Sequence, residues 1–223
     1  IIGYICMTFY TSLILINIIF SRNADSLPGL SFMLAGYLLN TVQVLNLKKA
    51  TRNVLLNQKS AITDPLTGVY NRRGLTKYID DLIANNKPFY VLFMDLDNFK
   101  KINDSTGHST GDHILNVMAE RWGSLLVKDG IIARNGGDEY VIVLPDSDKS
   151  PVNIEDFGQK CVEAAREEIF IEEKRLHVFT TSSIGIARFP TNGVDADDIL
   201  INADVAMYKS KKSGKDRYTI FTR

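Results

Sequence analysis

RNGGDEYVIVL, residues 134–144, places two glycines at the tip of a predicted β-hairpin and two carboxylates, Asp138 and Glu139, at the start of an apolar strand. A glycine tip lets backbone approach a bulky anion closely, because no Cβ intervenes. Upstream, residues 89–97 (FYVLFMDLD) predict another apolar strand that ends in acids, Asp95 and Asp97. Carboxylates beside a phosphate site are typical of a hard divalent cation. The pattern indicates metal-dependent chemistry on a nucleoside triphosphate.

Helical and strand patterns alternate around this hairpin. Apolar spacing predicts helices at 75–83, 109–127, 153–170 and 195–212, and strands at 89–95, 131–134, 139–144 and 177–187. The core order β-α-β-β-α-β is that of a ferredoxin-like α+β sheet. In such a sheet the third strand lies between the first and the second and is antiparallel to both. Asp95 and Asp138 are therefore expected to be neighbours at one edge.

Composition limits the classes of partner and compartment. The chain has 223 residues, enough for one good-sized domain and an appendage. Its formal net charge is +0, so no overall basic field indicates a nucleic-acid partner. The two cysteines, Cys6 and Cys161, form no disulfide framework, and Cys161 is expected to be a buried helix thiol.

The N-terminal third differs from the rest of the chain. Residues 1–20 and 30–47 carry no charge, and a basic cluster starts at Lys48. Each segment is about long enough to span a bilayer as a helix, so two transmembrane helices are predicted within 1–47. The basic residues that follow the second helix predict that the chain continues into the cytoplasm. A secretory signal is the rival interpretation of 1–20, but a charged n-region and a small-residue cleavage site are missing.

This interpretation predicts a location and a domain order. A connector helix would cover 48–63 and a catalytic domain 64–223, held on the cytoplasmic side of the cell inner membrane. The chain begins with Ile, so it is expected to be a piece of a longer protein.

Five separated motifs resemble the GGDEF domain of diguanylate cyclases. They are DPLTGVYNRRG (64–74), MDLDNFKKINDSTGHSTGD (94–112), RNGGDEY (134–140), SSIGIARFP (182–190) and NADVAMYKSKKSGKDR (202–217). The resemblance implies a polymerase-palm-like βαββαβ core. It also implies that a homodimer, with one GTP on each subunit, condenses two GTP into cyclic di-GMP and releases two pyrophosphates.

The resemblance assigns the metal and catalytic residues. Mg²⁺, with Mn²⁺ as an alternative, would be held by Asp95, the backbone carbonyl of Leu96 and Asp138. Asp138 would also accept the 3′-hydroxyl proton, and Glu139 is the second catalytic candidate, without a separately defined role. Solvated turns are the alternative interpretation of these acids.

The resemblance also assigns substrate contacts: Asn103, His108, Asp112, Gly136, Gly137, Lys211 and Lys215. A capping or packing role is the alternative interpretation of His108. Asn103 and Asp112 would read guanine, since a carboxylate can accept from both its N1–H and its N2–H₂. Lys211 and Lys215 would reach the terminal phosphates, although a cationic helix end is favoured by the helix dipole in any case. Lys215 stands where the family more often has Arg, which predicts a looser grip on phosphate.

Two departures from the family pattern bear on activity. Tyr140 replaces the signature phenylalanine, which packing tolerates if the added hydroxyl finds a partner. Val127 and Gly130 occupy the Arg and Asp positions of the family's RxxD product site, so no feedback inhibition through that site is expected. A catalytically silent GGDEF module that relays a signal is the alternative function. A cyclase of mixed GTP and ATP specificity is disfavoured by Asp112.

Overall fold

The structure is a computed structural model that describes residues 27–127, 129–146 and 151–222, apart from the side chains of residues 27–34 and 53–60. The helices are α1 (Leu27–Ile62), α2 (Arg72–Ala84), α3 (Phe99–Thr106), α4 (His108–Ser124), α5 (Ile154–Arg166) and α6 (Ala196–Lys212). The strands are β1 (Tyr70–Asn71), β2 (Phe89–Leu96), β3 (Ile131–Gly136), β4 (Glu139–Pro145), β5 (Ile169–Ile171), β6 (Leu176–Val178), β7 (Ser182–Phe189) and β8 (Arg217–Ile220). The chain divides into two units after Asn57, and the sheet belongs to the second.

The main sheet has six strands in the order β1-β3-β4-β2-β7-β8. Strand β4 lies between β3 and β2 and is antiparallel to both. Strand β7 pairs antiparallel with the other side of β2. The predicted α+β core and its strand order are therefore confirmed, including the central position of the strand that follows the glycines.

Helices cover both faces of this sheet, which explains why its central strands are apolar without alternation. On one face, Leu92, Met94 and Ile142 pack with Trp122 of α4 and Phe157 of α5. The opposite face belongs to a second cluster that includes Val91, Phe93 and Val141 of the sheet, Leu75 of α2 and Ile199 of α6. A strand buried on both faces has no polar side, so its sequence is a continuous hydrophobic run.

The predicted strand 177–187 is two strands in the structure. Strand β6 ends at Val178 and pairs with β5 in a separate two-stranded sheet, while β7 begins at Ser182. The helix predicted over 153–170 ends earlier, at Arg166, because Glu167 is extended (φ −60°, ψ 139°). Sequence periodicity also did not reveal the short helix α3, which lies between the first acid-tipped strand and α4.

The prediction of membrane-spanning helices is wrong for the described part of the chain. The predicted span 1–20 lies outside the described residues. Helix α1 contains the span predicted at 30–47, yet no described helix is both long and apolar enough to cross a bilayer. Asn40, Gln43 and Asn46 interrupt its apolar residues, and a bilayer core offers such polar groups no partners. This finding overturns the predicted membrane anchor and the inner-membrane location based on it.

Candidate active site

Pairing of β2 with β4 brings the two predicted metal acids to one edge of the sheet. Asp95 pairs in register with Glu139, the residue that follows Asp138. The Leu96 N–H donates to the Asp138 carbonyl oxygen at 3.4 Å. Both aspartates are partly buried, and burial is the main cause that raises the pKa of each. The Asp95 charge further raises the pKa of Asp138, so the two carboxylates repel one another at this edge.

A close approach of α6 to β7 carries Lys211 to these acids. A Cβ on Gly185 would collide with the backbone of Ala203 and Met207, so only glycine allows the helix to lie this near the strand. The Ser210 hydroxyl donates to the Ile184 carbonyl oxygen at 2.8 Å. The next residue, Lys211, then reaches Asp95, with Nζ 2.8 Å from Oδ2.

Lys215 is held in the turn that follows α6. Its backbone has φ 63°, and its Nζ donates to Asn98 Oδ1 at 2.8 Å. The turn is tied to β2 by Asp97, which is only 3% exposed. The Asp97 carboxylate accepts from the Asp216 N–H at 3.1 Å and from the hydroxyls of Thr181 and Ser183 at 2.6 and 2.8 Å.

Asp97 therefore has a different role from Asp95, although the sequence shows them as one DLD pair. Both acids line the cleft, but the Asp97 carboxylate accepts from three donors of the protein, whereas the Asp95 carboxylate pairs with Lys211. Sequence reasoning missed this positioning function, because the two acids differ only in their burial and in their hydrogen-bond partners.

The glycine hairpin is held in shape by hydrogen bonds from Arg134. Gly137 has φ 52°, a conformation that favours glycine, and a Cβ built on Gly136 or Gly137 would meet nothing within 4 Å. The Arg134 guanidinium donates to the Gly137 carbonyl oxygen at 2.9 and 2.7 Å and forms an ion pair with Asp64 at 3.2 Å. The backbone of the tip is therefore fixed by Arg134, and the space next to its two glycines is free of neighbouring atoms from the described part of the chain.

Sequence reasoning also missed this role of Arg134. The residue lies in the quoted stretch, but one of its partners is 70 positions earlier in the chain. Glu139, the second predicted catalytic acid, accepts from Asn135 Nδ2 at 2.8 Å across the same hairpin.

One cleft of about 390 Å³ brings together the predicted metal-binding residues and the two predicted phosphate-binding lysines. Its lining includes Asp95, Leu96, Asp138, Lys211 and Lys215. Among the described residues, no three His, Cys, Asp or Glu side chains converge as metal ligands. Two carboxylates and a carbonyl nevertheless fit Mg²⁺, which is usually held by one or two carboxylates together with substrate phosphates and water.

The predicted guanine-reading residues lie away from this cleft lining, on α3 and α4. Asn103 is partly buried against Gly111, where a Cβ would collide with its side chain. Its Oδ1 is buried and has no hydrogen-bond partner among the described residues. His108 and Asp112 are exposed, and Asp112 lines a second cavity of about 390 Å³.

Two predictions about buried side chains are confirmed. Tyr140 is fully buried, stacks edge-on against Trp122, and donates its hydroxyl to the Leu115 carbonyl oxygen at 2.8 Å. The hydroxyl added to the signature phenylalanine therefore has the partner it requires. Cys161 is buried in α5, and burial raises the pKa of its thiol to about 12.

Comparison with known proteins matches residues 61–217 to the family described as "Diguanylate cyclase, GGDEF domain". The chain is 36% identical over 164 residues to the cyclic di-GMP phosphodiesterase PdeR of Escherichia coli K12, covering 73% of this chain and 24% of that protein. It is 34% identical over 185 residues to the bifunctional diguanylate cyclase/cyclic di-GMP phosphodiesterase MucR of Pseudomonas aeruginosa PAO1, covering 81% and 26%. This chain thus spans about a quarter of the length of these curated relatives.

The fold is also shared with solved structures. The GGDEF domain of TpbB (YfiN) from Pseudomonas aeruginosa superposes with a TM-score of 0.63 at 28% identity, covering 72% of this chain and 94% of that one.

Proposed function

Because this chain belongs to the GGDEF family of diguanylate cyclases, we propose that it is an active cyclase that condenses two GTP into cyclic di-GMP. One observation carries the proposal: pairing of β2 with β4 sets Asp95 and Asp138 side by side, facing a cleft that also contains two lysines. Acids and cations on one open surface suit a magnesium-bound triphosphate. A solvated turn would not require acids from two distant segments to meet.

Asp95, the Leu96 carbonyl and Asp138 would hold Mg²⁺ or Mn²⁺. The ion, when bound, supplies electrostatic activation of the attacking oxygen and stabilisation of the leaving one. Lys211 and Lys215 would contact the terminal phosphates, where an ammonium neutralises charge as the pyrophosphate departs. The open tip at Gly136 and Gly137 leaves room for the triphosphate to approach the backbone.

The reaction itself needs two nucleotides. The 3′-hydroxyl oxygen of one GTP forms a bond to the α-phosphorus of the other, the bond from that phosphorus to the β-phosphate oxygen breaks, and pyrophosphate leaves. Asp138 is the proposed acceptor of the hydroxyl proton. Since each subunit would hold one GTP, catalysis requires a homodimer that faces two such clefts towards each other, and repetition of the step closes the ring.

Guanine would be read by Asn103 and Asp112. These residues come from adjacent helices that contact each other at Gly111, which supports their joint action on one base. A well-placed bidentate contact contributes about 1–3 kcal/mol of discrimination between bases. His108, at the start of α4, would line the same side of the substrate.

The test is product formation from GTP and Mg²⁺, with cyclic di-GMP and pyrophosphate separated by chromatography. The parent should yield both products, chelation of the divalent cation should stop the reaction, and Asp138→Ala should yield neither product while it unfolds at a similar temperature. Asp80→Ala, which removes an exposed acid on α2, is the matched control and should behave as the parent. Product from Asp138→Ala at the parental rate would refute the assignment.

A silent GGDEF module remains the alternative. Both curated relatives described above carry phosphodiesterase in their names, and the matched region is only a quarter of each. The alternative predicts GTP binding by the parent without any product. Retention of both metal acids and both hairpin glycines favours the active enzyme.

A further inference from the structure

Lys174 reaches from the loop between β5 and β6 to the turn that joins α3 and α4. Its Nζ donates to the Thr106 carbonyl oxygen at 2.6 Å, to Thr110 Oγ1 at 2.7 Å and to Ser109 Oγ at 3.2 Å. The three acceptors are 64 to 68 positions earlier in the chain. Its ammonium thus bonds the last carbonyl of α3 and the first turn of α4 at the same time.

This turn has local hydrogen bonds, among them one from the Thr110 hydroxyl to the Thr106 carbonyl oxygen, but α4 begins without a side-chain cap. Gly107 joins the two helices with φ 89°, and it provides α4 with no side-chain cap. Among the described residues, Lys174 has the one charged side chain that bonds to residues 106–110. As a donor it satisfies the last carbonyl of α3 and links that carbonyl to two hydroxyls in the first turn of α4.

The tethered turn lies between the two residues proposed to read guanine. Asn103 is in the last turns of α3, and Asp112 follows Gly111 in α4. The contact between Asn103 and Gly111 leaves no space for even a methyl group. A small shift of α4 relative to α3 therefore changes the distance between the amide of Asn103 and the carboxylate of Asp112.

We propose that Lys174 is a positioning residue that fixes the α3–α4 turn and thereby sets the selectivity of the substrate site for guanine. The inference rests on the proposed function. Lys174 does not touch the base in this scheme; it acts through Thr106, Ser109 and Thr110. Its loss should weaken recognition of the base and leave recognition of the triphosphate unchanged.

The experiment measures equilibrium binding to the full chain of three probes that cannot condense: 3′-deoxy-GTP, 3′-deoxy-ATP and inorganic tripolyphosphate. In Lys174→Met, affinity for 3′-deoxy-GTP should fall about tenfold, within the range of one bidentate base contact. Affinity for the other two probes should stay within about twofold, because Lys211 and Lys215 are untouched. Lys174→Arg, which keeps a cationic donor, should recover most of the loss. Lys77→Met, an exposed lysine on α2, is the matched control.

A second variant tests whether the loss of selectivity comes from the turn itself and not from the removal of a positive charge. Thr110→Val keeps the shape of the side chain but removes an acceptor of Lys174 and the hydrogen bond from Thr110 to the Thr106 carbonyl oxygen, so it should loosen the same turn and weaken 3′-deoxy-GTP binding in the same selective way. An equal loss for all three probes, or no loss for any, would overturn the inference about Lys174. If the parent does not prefer 3′-deoxy-GTP over 3′-deoxy-ATP, the proposed function is refuted. If the parent shows this preference and Lys174→Met shows it equally, only the inference about Lys174 is refuted.

Discussion

The ion pair between Lys211 and Asp95 should contribute measurably to the stability of the metal-free protein. Nζ and Oδ2 are 2.8 Å apart, and the side chains are 31% and 13% exposed. At this separation, Coulomb's law gives about 6 kcal/mol for an effective dielectric of about 20, and about 1.5 kcal/mol in bulk water. Desolvation and loss of side-chain freedom offset much of this energy. We expect a coupling energy of about 1–2 kcal/mol in a double-mutant cycle of Lys211→Met and Asp95→Asn.

The two single variants should differ. Lys211→Met leaves the Asp95 carboxylate without its cation and close to Glu139 and Asp97, so it should lower the free energy of unfolding by about 2 kcal/mol. Asp95→Asn removes that carboxylate charge and should cost less than about 1 kcal/mol. The double variant should therefore be more stable than Lys211→Met alone.

The effect should depend on pH with a defined sign. Burial raises the pKa of Asp95 above its ordinary value of 3.8, and Lys211 is the main influence that lowers it. A carboxyl group with a raised pKa binds its proton more tightly in the folded state, so its contribution is fully favourable below 3.8 and is lost as the pH rises through the folded pKa. Removing Lys211 raises the pKa of Asp95 further, so the loss caused by Lys211→Met should shrink on acidification from neutral pH towards about pH 4.

Urea unfolding, with divalent cations chelated, measures these free energies at neutral and acidic pH. Lys77→Met serves as the control for removal of a lysine charge and should stay within about 0.5 kcal/mol of the parent. A coupling energy below about 0.3 kcal/mol, or a Lys211→Met penalty that grows on acidification, would show that the pair is not coupled as the geometry requires.

Two further predictions follow from the packing, and a third follows from the missing residues of the product site. Tyr140→Phe removes the hydrogen bond to the Leu115 carbonyl and should lower the free energy of unfolding by about 1 kcal/mol without loss of cyclic di-GMP formation; loss of product would show that the hydroxyl acts in the site. Gly185→Ala forces a Cβ into the backbone at Met207, so thermal unfolding should show a loss of about 3 kcal/mol or more, and an unchanged midpoint would contradict the close approach. Added cyclic di-GMP should leave the initial rate unchanged at low micromolar concentration, whereas inhibition that disappears on mutation of residues 127–130 would reveal a product site there.

Some of the candidate site could be predicted from the chain because its information is local. An apolar run that ends in DLD, and another that begins after GGDE, each follow from side chains next to one another in the sequence. The known geometry of a βαββαβ sheet then places Asp95 near Asp138. By contrast, the length of the uncharged segment 30–47 led to a wrong membrane prediction. Scattered amides such as Asn40 leave such a segment uncharged, but inside a bilayer they would lack hydrogen-bond partners.

The amino-acid order alone therefore determined the α+β core, the meeting of Asp95 with Asp138 and the need of Tyr140 for a hydroxyl partner. Only the tertiary structure decided that Asp97 accepts from donors inside the protein while Asp95 pairs with Lys211, that Arg134 links the glycine tip to Asp64, and that Lys174 holds a turn more than sixty residues away. The physical reason is that hydrogen bonding and burial depend on which side chains meet in space. Residues that meet from separate helices and strands produce no repeating pattern in the sequence that could predict the contact.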